Sequence, residues 1–284
     1  LAREMAKEES DPGRKEELEK IASTCTWVPA NPARNFYEAI QTVWFLTVGC
    51  WCEVQPVSIS PGRFPLYMYP FYKKDKEEGK ITDEEVMNLL GFLFIKYLEG
   101  TYFVSRIQHE INSGQTAHVF TIGGLTEEGQ DATNELDFLL LETQRQLRCI
   151  QPSFQLMYHD KLPRELLYKA VDCIRDTGLG QPAFFSQDAS VKRLLAYNSG
   201  KITLPEALAV GHLGCVQTAI PGKTFGLWTG AINMPKQLEL ALNNGKDPLT
   251  GFQVGPQTGN AESYQSYEDL KDAVREQMEF SIDI

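Results

Sequence analysis

One cysteine on a glycine-rich segment is the residue of this chain whose setting most suggests chemistry. Cys215 lies in Gly211–Lys223 (GHLGCVQTAIPGK), which has too many glycines and prolines for a helix and no clean strand alternation. Flanking patterns predict helices over Ile202–Val210 and Pro235–Asn244, so we expect a tight loop that presents one thiol between helices. A free cysteine is more often a small buried hydrophobe than a reactive group. The residue types alone leave both interpretations open.

Four polar residues could contact a substrate near this thiol. Gln217 follows two positions later, and its amide can hydrogen-bond but cannot exchange a proton near neutral pH. His212 either packs within the loop or touches a substrate. Ser58 lies on a predicted strand ahead of a Gly-Arg turn, and His109 lies in a polar segment that forms either part of a pocket or a solvated loop. Neither the cysteines nor His109 and its neighbours have metal-site spacing, so we predict no metal.

Composition narrows the classes of protein. The 284 residues, 42% hydrophobic and 23% charged, can bury a large core in one or two domains. A net charge of -11 argues against a nucleic-acid-binding protein, which needs a basic face. No segment predicts a membrane span or a signal peptide, and a chain of this size does not need its six cysteines as disulfides. We expect a cytoplasmic protein that binds neither nucleic acid nor membrane.

Helices and strands alternate along most of the chain. Helical patterns over residues 1–25 and 35–48 precede a predicted strand at Cys52–Ser60 and an aromatic loop at Met68–Tyr72. Further strands are predicted at Val119–Gly124, Ser153–Tyr158 and Ala183–Phe185, with helices between them. This order is typical of an α/β architecture with strands inside and helices outside. No linker or repeat divides the chain, so we predict a single segment over residues 1–284.

A series of short motifs then carries a resemblance that no single motif could. The motifs are VPANPAR (28–34), SPGR (60–63), LYMYPFY (66–72), TIGG (121–124), DATNEL (131–136), GQPAFF (180–185), GC (214–215), LELALN (238–243) and VGP (254–256). In this order, over nearly the whole chain, they resemble the glycyl radical enzymes, the pyruvate formate-lyase-like family. The resemblance implies part of a ten-stranded α/β barrel, with residues 1–50 as a helical lead-in and residues 51–284 as a barrel segment that includes the cysteine loop.

The resemblance also implies a mechanism and its partners. Cys215 corresponds to the cysteine that gives a hydrogen atom to a glycyl radical and, as a thiyl radical, takes one from a small substrate. The implied enzyme is a lyase of dehydratase or decarboxylase type that cleaves a C–C, C–O or other C–heteroatom bond. Gln217, His212, Ser58 and His109 become candidate substrate contacts. The implied partners are a radical S-adenosylmethionine activase and a second copy in a homodimer, with no bound cofactor besides the radical.

Two departures from the family pattern qualify this expectation. The glycyl radical motif does not follow Cys215, because Gly251, Gly255 and Gly259 lack its neighbours. We therefore predict an internal segment that is inactive alone, with its radical glycine outside the chain. Gln217 also stands where the family's dehydratases carry a glutamate. The alternatives left open are a fumarate-adding synthase of the benzylsuccinate type and a catalytically silent fragment or scaffold.

Overall fold

The computed structural model describes residues 1–54, 58–100, 118–197, 200–214, 216–224 and 232–283. The chain divides into two compact units, Leu1–Gly226 and Leu227–Ile284. The first unit contains a parallel sheet and most of the helices, and the second is a small helical unit. No helix in these ranges is both long and apolar enough to cross a bilayer.

Within the part of the chain that the structure describes, five helices precede the sheet in the first unit. They are α1 (Ala2–Glu8), α2 (Pro12–Trp27), α3 (Phe36–Val54), α4 (Phe64–Glu77) and α5 (Asp83–Leu98). The start of α5 is fixed by a capping box, in which Thr82 and Glu85 each satisfy a backbone N–H of the other. At the start of α2, the side chain of Asp11 accepts from the N–H of Arg14, and Pro12 occupies the first turn.

Three parallel strands follow in the described ranges, in the spatial order β1 (Val119–Gly123), β2 (Ser153–Tyr158) and β3 (Ala183–Ser186). The helices α6 (Glu135–Leu147) and α7 (Arg164–Thr177) connect them, and α8 (Gln187–Tyr197) and α9 (Leu204–Leu208) come after β3. A parallel bridge between Gly62 and Phe120 places the chain before α4 beside β1. This stretch, Ser58–Gly62, therefore lies along the free side of β1.

The two faces of the sheet have different neighbours. Phe120, Ile122, Phe154 and Leu156 belong to one large apolar core with residues of α3 to α7. Side chains alternate along a strand, so Thr121 and Met157 project to the other face. On that face Met157 and Phe185 pack with residues of α8, α9 and the segment after them.

A short antiparallel hairpin lies against this second face. Its strands are β4 (Gly211–Leu213) and β5 (Gln217–Ala219), and Leu213 pairs with Gln217. The second unit is built from α10 (Met234–Leu242), a 3-10 turn (Ala261–Ser263) and α11 (Tyr267–Asp283). Within that unit the Tyr264 hydroxyl donates to the carbonyl oxygen of Ala241 at 2.7 Å.

Three local predictions from the sequence are wrong. The strand predicted from Cys52 does not begin there, because α3 continues to Val54. The aromatic loop is the middle of α4, where Phe64, Met68 and Tyr72 recur at four-residue intervals and are buried. That packing outweighs the cost of Pro70 inside the helix. The cysteine segment contains strands after all, but three residues are too few to show alternation.

Candidate active site around the cysteine hairpin

Three residues lie in sequence between the last paired positions of the hairpin, Leu213 and Gln217. These are Gly214, Cys215 and Val216, and Cys215 itself lies outside the described residues. Gly214 has a φ of +53°, a conformation that glycine adopts without the steric penalty that a side chain brings. The residue that precedes the cysteine is thus suited to a sharp reversal of the chain.

Ser58 and Gln217 converge on the same side of Gly214. A side-chain carbon placed on Gly214 would lie 3.6 Å from Oγ of Ser58 and 3.7 Å from Oε1 of Gln217. The two oxygens are therefore no further apart than the sum of these distances, which one small polar molecule can span. The missing side chain of Gly214 leaves room there for at least one carbon atom, because both distances are ordinary van der Waals contacts.

A seryl and a threonyl hydroxyl accept hydrogen bonds from the backbone of the hairpin. Oγ of Ser60 accepts a hydrogen bond from the N–H of Gly214 at 3.2 Å, and it lies 3.4 Å from Oγ of Ser58. Two positions earlier on β4, the N–H of His212 donates to Oγ1 of Thr121 at 3.1 Å. Thr121 is the only polar residue of β1, in the run Val-Phe-Thr-Ile-Gly.

Glycines allow the hairpin to approach the sheet closely. A side-chain carbon on Gly62 would lie 3.3 Å from Cγ of Pro221, and one on Gly211 would lie 3.2 Å from the same atom. Such distances are tighter than most van der Waals contacts, so a larger residue at either position would displace the proline. Pro221 therefore fills the gap between the chain beside β1 and the start of β4.

The ring of His212 is buried and neutral. It packs on Phe185 with ring centroids 4.2 Å apart, and its Nδ1 has no hydrogen-bond partner among the described residues. Burial lowers the pKa of His212 to about 4, with a smaller contribution from the positive charge of Arg193. Because neighbouring positions on a strand alternate in direction, His212 and Gln217, which belong to adjacent cross-strand pairs, face opposite sides of the hairpin.

Buried charges hold the Gly-Gly turn at the end of β1. The N–H of Gly123 donates to Oδ1 of Asp137 at 2.9 Å, and its carbonyl accepts from Nη2 of Arg63 at 3.3 Å. Burial raises the pKa of Asp137 to about 6, against the opposing effects of two backbone donors and the guanidinium. Burial also lowers the pKa of Arg63. The two peptide groups that flank the α-carbon of Gly123 thus contact buried charges of opposite sign.

A second polar pair lies where β2 ends, and it was not predicted from the sequence. Nε2 of His159 is 3.3 Å from Oδ1 of Asp131, and the histidine is buried. Burial lowers the pKa of His159 although the carboxylate favours its charged form. The two residues are 28 positions apart, so only the β1–α6–β2 topology brings them together. No group of three potential metal ligands occurs in the described ranges.

Comparison with known proteins identifies the family. The model of the pyruvate formate lyase-like family matches residues 1–284. The chain belongs to this family. It is 36% identical over 287 residues to the trans-4-hydroxy-L-proline dehydratase of Clostridioides difficile, covering all of this chain and 36% of that protein. It is also 36% identical over 281 residues to the isethionate sulfite-lyase of Nitratidesulfovibrio vulgaris, covering 96% of this chain and 33% of that protein.

Solved structures of the pyruvate formate lyase-like family confirm the predicted fold class. A glycyl radical enzyme from Archaeoglobus fulgidus superposes with a TM-score of 0.89 at 37% identity, covering all of this chain and 36% of that one. The chain is thus α/β and forms part of a ten-stranded barrel with helices outside. It spans about a third of the length of the relatives it matches.

The structure brings two of the five predicted site residues together. Ser58 and Gln217 lie on one side of Gly214, whereas the ring of His212 packs against Phe185. Cys215 and His109 lie outside the described residues, and all five assignments stay predictions. Thr121 is the contact that sequence reasoning missed, although a lone hydroxyl in an apolar strand could have marked it.

Proposed function

We propose that this chain is the cysteine-bearing part of a glycyl radical lyase that acts on a small substrate. Cys215 is the hydrogen-abstracting residue, and the radical glycine lies outside these 284 residues. The observation that carries the proposal is the match of the whole chain to the pyruvate formate lyase-like family, in which the Gly214-Cys215 pair lies in sequence between the two strands of the hairpin. The polar space between Ser58 and Gln217 beside that turn supports it.

The chemistry at Cys215 is hydrogen-atom transfer. The glycyl radical supplies an acceptor for one hydrogen atom. Cys215 gives up its S–H hydrogen, and its sulfur then takes a hydrogen atom from a substrate carbon. Loss of the leaving group converts the substrate radical into a product radical, which takes the hydrogen back from the thiol. The cycle consumes no electrons, so a lyase of this kind needs no external oxidant or reductant.

Gln217 limits which leaving groups suit the site. A primary amide can orient a substrate oxygen, but it cannot deliver the proton that a departing hydroxide needs. The two named relatives illustrate the contrast, because by name one removes water and the other removes sulfite. We propose that this enzyme either takes the proton from elsewhere or expels a group that leaves as a stable anion. Ser58 and Gln217 hold the substrate's polar group in both cases.

The two candidate histidines take supporting roles in this proposal. His212 stays neutral because of its burial, so it contributes packing and a neutral imidazole rather than a positive charge. His109 is a candidate substrate contact from the sequence alone. The activase, the substrate and a homodimeric assembly belong to the whole protein and are proposed with it.

The test uses the polypeptide that contains this chain, made anaerobically with a radical S-adenosylmethionine activase. We expect a glycyl radical signal in electron paramagnetic resonance and turnover of a small hydroxy-, sulfo- or carboxy-substituted substrate. Cys215→Ser should abolish turnover yet leave the radical signal. Cys25→Ser, at an exposed cysteine, is the matched control and should retain full activity.

The same experiment separates the alternatives. Product formation that requires fumarate would replace the lyase with an addition enzyme. Failure of the activase to install any radical would favour a silent scaffold. Turnover by Cys215→Ser at the unmodified rate would refute the assignment of the cysteine.

A further inference from the structure

The outer edge of β4 is bonded to side chains where a longer sheet would provide another strand. In an antiparallel pair, alternate N–H groups of a strand point toward the partner and away from it. The N–H groups of His212 and Gly214 are two positions apart, and both donate to hydroxyls outside the hairpin. Thr121 accepts the first at 3.1 Å and Ser60 accepts the second at 3.2 Å.

The hairpin depends on such contacts because it is very small. Its two strands pair over only three residues each, and isolated two-stranded hairpins are marginal in water even when they are longer. Its ladder fixes the strands relative to each other but not relative to the barrel wall. Thr121 lies on β1, and Ser60 lies on the chain that bridges to β1 through Gly62, so both hydroxyls are part of that wall.

We infer that Ser60 and Thr121 are positioning residues that set the register of the cysteine hairpin against the wall of the barrel. This inference rests on the proposed function of Cys215. Gly214 directly precedes the cysteine, so the bond from its N–H fixes the point where the reactive turn begins. Thr121 fixes the strand two residues earlier, and the two bonds together prevent both sliding and tilting of β4.

Hydrogen-atom transfer is sensitive to this register. The sulfur must approach both the glycine and one carbon of the substrate, and a misplacement of about 1 Å in an active site can cost about 100-fold in rate. Substrate affinity depends less on the hairpin because Ser58, which belongs to the wall, contributes to it independently. Loss of the hydroxyl of Ser60 or Thr121 should therefore lower kcat and leave KM nearly unchanged.

The experiment compares hydroxyl deletions in the activated protein, with kcat, KM, melting temperature and radical content measured for each. We expect Ser60→Ala and Thr121→Val each to lower kcat by about 10- to 100-fold, with KM within about 3-fold of the parent and an unchanged radical signal. The conservative variants Ser60→Thr and Thr121→Ser keep the oxygen and should restore most of kcat. The double variant should lose less than the product of the two single losses, since both act on one hairpin.

Matched controls remove buried hydroxyls elsewhere in the same unit. Ser190→Ala deletes a hydroxyl that donates to the carbonyl of Ser186, and Thr143→Val deletes one that donates to the carbonyl of Leu139. Both should leave kcat unchanged. If Ser60→Ala does not fold, the comparison of Thr121→Val, which conserves volume, with Thr121→Ser tests the inference.

Two results would overturn the inference. One is a kcat within 2-fold of the parent for both Ser60→Ala and Thr121→Val, and the other is a rise in KM with kcat preserved. The Cys215→Ser variant keeps the two proposals distinguishable. If Cys215→Ser is inactive and the hydroxyl deletions are fully active, only the positioning role of Ser60 and Thr121 is refuted. If Cys215→Ser is active, the proposed function on which that role rests is refuted.

Discussion

The two faces of the β1–β2–β3 sheet are built from alternate residues of the same strands, yet they are packed in different ways. On the helix face Phe120, Ile122, Phe154 and Leu156 are at most 1% exposed and belong to one apolar core. On the hairpin face the hydroxyl oxygen of Thr121 accepts a hydrogen bond from the backbone N–H of His212 on β4. The period of two along a strand thus lets one element stabilise the fold and support the candidate site.

The difference extends to how closely the backbone is approached. The helix face is filled by large rings, with the Phe120 and Phe154 centroids 5.6 Å apart. The hairpin face instead uses glycine at 62, 211 and 214, where side chains would occupy the space that Pro221, Ser58 and Gln217 border. Large-to-small changes should therefore harm the first face, and small-to-large changes should harm the second.

The largest effect is expected from emptying the helix face. Phe154→Ala should lower the free energy of unfolding by about 3–5 kcal/mol, because it leaves a cavity among packed rings of α5 and β1. Activity per folded molecule should change little. Chemical denaturation measures the first quantity, and turnover normalised to radical content measures the second.

Phe184→Ala is the matched control, because this phenylalanine lies on β3 but is 41% exposed. It should cost less than about 1 kcal/mol. A large loss of activity per folded Phe154→Ala molecule would show that the two faces are mechanically coupled. It would contradict the view that the helix face stabilises the fold and the hairpin face supports the candidate site.

The sequence predicts the helix face much better than the hairpin face. Continuous apolar strands and capped helices, such as the one that follows Thr82, produce patterns long enough to recognise, and the α/β class is confirmed. The family is also confirmed, because it was inferred from the order of many motifs over the whole chain. The helical character of Met68–Tyr72 was missed because tertiary burial of Met68 and Tyr72 outweighs the local preference of an aromatic run that contains a proline.

The candidate site was harder to predict because its contacts are distant in sequence. Ser60 meets Gly214 across 154 positions, and Thr121 meets His212 across 91. No spacing rule connects such pairs, and the strands of the hairpin are too short to show a period. Ser58 and Gln217 were selected by their residue types, and their convergence on Gly214 could come only from the fold.

A second prediction uses the two buried histidines to compare how well each side excludes water. His118 stacks on Tyr97 of α5 with centroids 4.2 Å apart, and burial lowers its pKa to about 4, as for His212. Each group binds a proton more readily in the unfolded chain, so each contributes stability that is complete above pH 6.5 and is lost as the pH falls toward 4. Between pH 7 and pH 5 each should cost about 2 kcal/mol of unfolding free energy.

Unfolding measured at both pH values, in the parent and in His118→Gln and His212→Gln, checks this. Each variant should lose stability less steeply than the parent over that interval, by about the same amount. A normal slope change for His118→Gln together with none for His212→Gln would mean that the hairpin face is hydrated in solution. Its contrast with the helix face would then be one of solvent access as well as of residue size.

The smallest effect is expected from filling the space at the turn. Gly214→Ala places a methyl group at ordinary contact distance from Oγ of Ser58 and Oε1 of Gln217, where the proposed substrate group binds. It also asks alanine to adopt a φ near +53°, which costs about 1 kcal/mol of stability. Turnover should fall about 10-fold, mainly through a higher KM because the methyl group competes with substrate for the same space.

Gly178→Ala, at a φ of +69° on the C-cap of α7 with no neighbour within 4 Å among the described residues, imposes a similar backbone penalty away from the hairpin. If both variants lose stability equally but only Gly214→Ala raises KM, occupied space rather than backbone strain limits the site. Equal KM values for the two variants would show that the substrate does not bind beside Gly214. The role of that glycine would then be purely conformational.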